Sequence, residues 1–472
     1  MKAISKTSNS LNGTIVCPGD KSISQRILIL GWLLNKNITI SGFLNAEDPL
    51  STANALNQIS DSIQINGSEV IIKERTTDLK NPKNPIDLGN SGTGMRLMFG
   101  LISGLGIEAT LIGDDSLSKR PMRRVADPLK EMGASNNLKI DGTPPIEISK
   151  GKIIDDFVYK MPVASAQVKS SIILAAIAAK KGITIIEEIQ TRNHTERMIE
   201  YFKGDIEISP IWRNKKIKHR NDFMGNKIVY KPKELISKDH YDVVGDFSSA
   251  SFLIVAGLIS KSGKLIIKNV GLNPSRSLLI EILKQMGGNI SISNERMVSN
   301  EEVGDITVLP SELEGFSGFL PSYFEDPQKD PIHSRDSHYY RDSLITPNII
   351  DEIPILCIAA AFAVGSTMLG GLKELTVKES NRLAAICDGF DAIGIKYYSD
   401  RESSIKLYGT WNEDIDGAEV DSHGDHRIAM SFLIAGMRSK NGITVKNCKN
   451  IDTSFPNFFE TLSSLGADIK IA

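Results

Sequence analysis

Pro18-Gly19-Asp20-Lys21-Ser22-Ile23-Ser24-Gln25-Arg26, running straight into the apolar stretch 27–34, decides how the rest of this sequence is read. Proline and glycine mark a turn, Ser22 or Ser24 offers a helix cap, and apolar residues at near-helical spacing supply a helix body. The charges are out of place for such a start. Lys21 and Arg26 sit where the helix dipole already presents its positive end, which disfavours a cation by roughly 0.3–1 kcal/mol. Two readings follow: a solvated helix start, or a site where amide N–H groups, a lysine and an arginine together hold a phosphate or carboxylate.

The same order of signals recurs six times, as a polar helix start, an apolar helix, a short Gly or Lys turn and a β-branched strand. The expected helices are 24–34, 93–102, 167–179, 248–259, 353–364 and 428–437, and the strands after them are 38–43, 107–113, 182–186, 264–267, 366–369 and 442–445. Second helices end at Met132-Gly133, Met286-Gly287, Ile393-Gly394 and Leu465-Gly466, each glycine supplying the left-handed residue that terminates a helix. Helix alternating with strand predicts an α/β protein. Helices such as Ile172-Ile173-Leu174-Ala175-Ala176-Ile177-Ala178-Ala179 are apolar on nearly every face, so they are expected inside a domain with the strands outward. The units divide three and three, giving a first domain over 21–245 and a second made of 1–20 plus 246–472. Residues 316–342 break the period; polar and proline-rich, they read as a surface insertion, with His333 and His338 on a solvated loop or available to a partner.

A chain of 472 residues exceeds a single core and fits two or three domains. Lys plus Arg number 55 against 57 Asp plus Glu, so no global basic field draws nucleic acid or an anionic membrane, and anion recognition must be local. Cys17, Cys357, Cys387 and Cys448 form no C-x-x-C pair and fit buried thiols in a reducing compartment. Only His423 and His426 with Asp425 resemble a metal cluster, without zinc spacing, so no metal is expected. Residues 1–11 lack the charged and apolar pattern of a signal peptide, and no apolar run reaches membrane-spanning length, so a cytoplasmic protein is expected.

Polar groups of one kind recur at the helix starts: Asn90-Ser91-Gly92-Thr93-Gly94-Met95-Arg96, Ser165-Ala166-Gln167-Val168-Lys169-Ser170-Ser171, Lys378-Glu379-Ser380-Asn381-Arg382 and Gly424-Asp425-His426-Arg427. Lys119-Arg120-Pro121 and Thr191-Arg192-Asn193-His194-Thr195-Glu196-Arg197 add further cations. Guanidinium forks match carboxylates and phosphates bidentately, so the pattern points to a small polyanionic ligand. Gly92 is either an ordinary turn glycine or a place where a ligand approaches the backbone. Gly19-Asp20-Lys21-Ser22 lacks the spaced glycines of a P-loop, so nucleotide binding is not expected. For proton transfer the candidates are Asp351, Glu352 and Glu379, with helix capping the alternative for Asp351.

These segments, with Leu88-Gly89 ahead of Asn90, Met122 after Pro121 and Val377 before Lys378, fall in an order that resembles the 5-enolpyruvylshikimate-3-phosphate synthase family of the enolpyruvyl transferases, over nearly the whole chain. The resemblance implies two similar domains, each of three βαβαββ units with buried parallel helices, an inside-out α/β barrel, closing over substrates at their interface. It implies transfer of the enolpyruvyl group of phosphoenolpyruvate to shikimate 3-phosphate with loss of phosphate, as a monomer without metal or organic cofactor. Carried over by position, Lys21, Gly92, Arg120, Gln167, Arg382 and Arg427 would hold phosphoenolpyruvate. Lys21, Ser22, Arg26, Ser165, Ala166, Gln167, Arg192, Asp351 and Lys378 would hold shikimate 3-phosphate. Asp351 would take the hydroxyl proton, and Lys21 and Glu379 would move protons at the bridging oxygen and the methylene carbon.

Leu97 stands where many members have proline, and Thr453 replaces a lysine of some. Gly92 is retained where glyphosate-tolerant members carry alanine, so inhibition by glyphosate is expected. The rival transferase acting on UDP-N-acetylglucosamine usually has a reactive loop cysteine, absent here between Lys119 and Arg124. A non-catalytic anion-binding scaffold is the other alternative, opposed by Lys21, Asp351 and Glu379 occurring together.

Overall fold

Asp20, not a serine, starts the first helix: its carboxylate accepts the Ile23 N–H at 2.8 Å, and Lys21–Leu34 runs from there. The computed structural model describes residues 1–212, 223–319 and 346–472. Four other core helices, Gly92–Leu105, Ala166–Ala179, Phe247–Ile259 and His426–Gly436, also begin slightly before the apolar pattern does. Ser91, Ser165, Asp246 and Asp425 cap them, each accepting a backbone N–H. Ile353–Ala361 stops short of 364, because Gly365 at φ 89° turns the chain into the strand Ser366–Gly370.

Among the described residues, six four-stranded sheets share one plan. In each, the first two strands in spatial order run parallel and the second pairs antiparallel with the third. Parallel neighbours require a crossover, and a buried helix provides it, as Ala166–Ala179 does between Phe157–Lys160 and Ile183–Glu187. The strand Lys2–Lys6 closes the last sheet between Ile443–Lys446 and Asp468–Ile471. Gly13–Val16 precedes the Lys21 helix in sequence yet pairs with Leu265–Lys268, while His240–Asp242 pairs with Thr39–Ser41.

The chain forms two compact units, one of residues 19–244 with 297–301, the other of 1–18, 245–296 and 302–472. No sequence signal singled out residues 297–301. They join the first unit because Arg197 donates to the Asn300 carbonyl at 3.1 Å, Asn300 donates back at 2.9 Å, and His194 Nδ1 lies 2.7 Å from Glu301 Oε1. In the second unit the three helices Phe247–Ile259, Ile353–Ala361 and His426–Gly436 are buried at every residue and pack on one another. In the first, Gly92–Leu105 lies so close to Ala166–Ala179 that a Cβ on Gly100 would sit 2.1 Å from the Ser171 carbonyl oxygen, and one on Gly104 2.3 Å from that of Ala175. Only glycine allows that approach.

The expected insertion at 316–342 begins otherwise than as a loop. Ser317–Phe319 is a strand pairing with Met368–Gly370, too short to show a period in the sequence. The rest of that stretch, with His333 and His338, lies outside the described residues. Cys17, Cys357, Cys387 and Cys448 are buried and unpaired with one another, and burial pushes the Cys448 thiol up to about 11. No helix among the described residues is long and apolar enough to cross a membrane.

At the turn into the first helix, a Cβ on Gly19 would lie 1.9 Å from the Gly42 carbonyl oxygen, backbone that cannot rotate away. Gly19→Ala is therefore expected to cost about 1–3 kcal/mol, seen as a lower urea midpoint; an unchanged midpoint would show that the Gly42 turn yields freely.

Candidate active site

In the unit of residues 19–244, Lys21 is the first residue of its helix and its ammonium lies 3.0 Å from Asp48 Oδ2. Asp48 sits in the first turn of Glu47–Ile59, where the helix dipole favours an acid anyway. That ordinary position hides its pairing from a reading of the sequence. Gln25, wholly buried, donates to Ser91 Oγ at 2.6 Å, and Ser91 caps the next core helix by accepting the Gly94 N–H at 3.0 Å. The first and second helix starts are tied in this way.

Gly92 is the first residue of that second helix. A Cβ on it would lie 2.9 Å from Arg120 Nη1 and 3.0 Å from Arg96 Nη1, so the glycine leaves room for two guanidinium groups. Arg120 donates to Asn90 Oδ1 at 2.6 Å and Ser116 Oγ at 3.3 Å. Arg96 donates to Gln167 Oε1 at 2.9 Å, while the Gln167 amide nitrogen donates to Thr93 Oγ1 at 2.8 Å. Gly92, Arg120 and Gln167 thus lie together, with Arg96 between them. Arg26 is buried and donates to the Ser22 carbonyl, Ser170 Oγ and Thr195 Oγ1. Ser165 and Ala166 form the start of the third helix, and partly exposed Arg192 lies between Thr191 and Asn193, the residue before the helix His194–Tyr201.

In the other unit a network centres on Arg382, whose side chain is 1% exposed. Its Nε donates to Asp425 Oδ2 at 2.8 Å, Nη1 to Asp351 Oδ1 at 3.1 Å and Nη2 to Glu379 Oε2 at 2.5 Å. Burial works against its charge, but Asp425, Glu379 and Asp351 outweigh that and raise its pKa. Arg427 donates to the Asp351 carbonyl at 2.9 Å and to Ser248 Oγ at 3.3 Å, and lies 3.7 Å from buried Glu352. Glu352 accepts from Ser248. Burial lowers the Lys378 pKa, and the charges of Asp351 and Glu379 oppose the shift.

Two outcomes differ from the sequence reading. Asp351 does not cap the following helix; its carboxylate goes to Arg382, and Glu352 occupies the cap position without a side-chain cap bond. Arg276 was missed: buried, it donates to Ser248 Oγ at 2.5 Å and lies 3.4 Å from Asp246 and 4.0 Å from Asp351. It follows Asn273-Pro274-Ser275 in no pattern that announces a site. Asp425 takes Arg382 and Ser380 on one oxygen and the Arg427 N–H on the other. Among the described residues no group of three or more His, Cys, Asp or Glu is placed to hold a metal ion.

Both groups hold fork-shaped cations beside helix N-termini, the chemistry for gripping phosphate and carboxylate. In the second group, carboxylates, which can accept a proton, stand beside those cations.

Comparison with known proteins agrees with this chemistry. The family model described as EPSP synthase (3-phosphoshikimate 1-carboxyvinyltransferase) matches residues 5–462. A 3-phosphoshikimate 1-carboxyvinyltransferase of Petrotoga mobilis is 41% identical over 471 residues, covering 98% of this chain and 99% of the relative. One from Methylococcus capsulatus is 39% identical over 464 residues, covering 98% and 97%. The solved EPSP synthase of Acinetobacter baumannii superposes with a TM-score of 0.80 at 35% identity, covering 100% of both chains.

Asp425 neutralises a buried arginine and caps a buried helix at once. Asp425→Ala is expected to lower stability by about 3–5 kcal/mol, because it leaves a buried charge with one partner fewer; a thermal melt within a degree of wild type would show that Glu379 and Asp351 suffice.

Proposed function

The chain belongs to the EPSP synthase family and acts as a 3-phosphoshikimate 1-carboxyvinyltransferase, and from that premise we propose how its own residues divide the reaction. In this step of aromatic amino-acid biosynthesis the 5-hydroxyl of shikimate 3-phosphate adds to the central carbon of phosphoenolpyruvate while the methylene carbon gains a proton. The tetrahedral intermediate then loses phosphate and that carbon gives a proton up, leaving the enolpyruvyl ether.

Asp351 takes the hydroxyl proton, Glu379 serves the methylene carbon, and Lys21 protonates the bridging oxygen of the departing phosphate. Phosphoenolpyruvate is held by Lys21, Gly92, Arg120, Gln167, Arg382 and Arg427. Shikimate 3-phosphate is held by Lys21, Ser22, Arg26, Ser165, Ala166, Gln167, Arg192, Asp351 and Lys378. What carries this reading is that Asp351 and Glu379, distant in sequence, converge on the single guanidinium of Arg382. An acid–base pair built on the cation that grips the substrate sets proton transfer beside the bond being made. Gly92 supports it too, since the space its missing side chain leaves adjoins two arginines.

The direct test mixes purified protein with both substrates and follows phosphate release; a folded protein that releases none overturns the reading. Lys21→Met should keep its fold and lose about 10²–10⁴-fold in kcat, whereas wild-type turnover would remove Lys21 from the chemistry. Glyphosate is expected to inhibit in competition with phosphoenolpyruvate. Gly92→Ala, whose methyl group would displace the Arg120 and Arg96 tips, should weaken inhibition about tenfold or more and raise KM for phosphoenolpyruvate; equal sensitivity of the two proteins would count against Gly92 lining that site.

A further inference from the structure

Beneath the start of the third core helix lie three charged side chains that the reaction does not use. Lys169 reaches 2.5 Å to Glu187 Oε2 and 2.8 Å to Glu196 Oε1, and all three side chains are 1% exposed. One cation between two carboxylates, out of water, is a poor device for stability, since each ion loses its hydration and the charges do not cancel. Burial raises the Glu187 pKa against the pull of Lys169, with Glu196 adding to it. Such a cluster is better suited to fixing one arrangement of the elements it joins.

The elements joined are those that carry the proposed contacts to shikimate 3-phosphate. Lys169 is one turn into the helix that starts at Ser165, Ala166 and Gln167. Glu187 ends the strand Ile183–Glu187 and accepts the Thr191 N–H at 2.5 Å and the Thr191 hydroxyl at 3.2 Å, which closes the loop just before Arg192. Glu196 lies in the first turn of His194–Tyr201, next to Thr195, whose hydroxyl accepts Arg26 Nε at 2.9 Å and lies 2.7 Å from Ser170 Oγ. The Lys169 helix is itself locked against its neighbour through Gly100 and Gly104. The loop is therefore the partner that the ammonium positions.

We propose that Lys169, through Glu187 and Glu196, is a positioning residue that holds the Arg192 loop in the conformation that binds the shikimate 3-phosphate anion. This rests on the assignment of Arg192 made above. The test is the variant Lys169→Met/Glu187→Gln/Glu196→Gln, which removes every charge of the cluster and leaves no buried carboxylate unpaired. Its KM for shikimate 3-phosphate should rise about tenfold or more while kcat and KM for phosphoenolpyruvate stay within about twofold. Lys169→Arg, which keeps a cation between the two carboxylates, should stay near wild type. An unchanged KM in the folded triple variant overturns the proposal, and so does a loss shared evenly by both KM values and kcat, the mark of general loosening. If the triple variant does not fold, Glu187→Gln, which leaves one cation facing one carboxylate, is read by the same criteria. Arg192→Ala measured alongside separates the two failures: a normal KM there overturns the site assignment, whereas a raised KM there beside a normal KM in the cluster variant overturns the positioning role alone.

Discussion

A helix surrounded by protein on every side can meet a ligand only at its ends, and that constraint shapes this fold. Phe247–Ile259, Ile353–Ala361 and His426–Gly436 expose none of their residues, so these three helices can contribute to recognition only through the turns that start and finish them. The N-terminal turn is the end with unsatisfied N–H groups and positive potential. Placing Arg427 in one such turn, and Arg382 at the start of Arg382–Ile393, concentrates positive charge where the backbone already supplies it. The first unit does the same with Lys21 and Gly92.

Positive charge gathered out of water must be balanced, and the balance shows where the chemistry lies. Arg382 has three carboxylate partners, more than one guanidinium needs for neutrality. Asp425 is fully enclosed and caps a helix, so its share is structural, but Asp351 and Glu379 are 14% and 25% exposed at the side chain. Arg382, on the proposed assignment, exchanges those two for a substrate anion. On the proposed assignment they are the acids that move protons, so the groups that steady the arginine before substrate arrives are the ones freed to act when it does.

Much of this was legible in the sequence, for a reason that also marks where legibility stopped. A helix buried on all faces leaves an unmistakable apolar run, and a repeated unit shows it six times, so class and count followed from pattern alone. Helix starts lie ahead of the apolar runs because Asp20 and Asp425 cap polar first turns that apolar spacing does not reveal. The site cations announced themselves by standing at the wrong end of a dipole. Asp48, Arg276 and residues 297–301 did not, since an acid in a first helical turn, an arginine after a proline and a hairpin tip are each unremarkable until folding supplies the partner.

The same reasoning bears on the departure at Thr453. The resemblance implies a lysine there in some members, whereas here the hydroxyl is turned onto the Asn450 carbonyl at 2.7 Å and the residue is buried. A lysine is a point charge on a flexible stem, and an arginine is a planar fork that holds an oxyanion in one orientation. In the second unit, phosphate recognition on the proposed assignment then rests on Arg382 and Arg427, with Lys378 turned to the other substrate. Absence of a lysine removes charge without removing geometry, because the plane of Arg382 is fixed by Asp425, and that of Arg427 by the Asp351 carbonyl and Ser248, rather than by the ligand. An arginine already held in place orders less when the anion binds, and that saving in side-chain entropy offsets part of the missing Coulomb attraction.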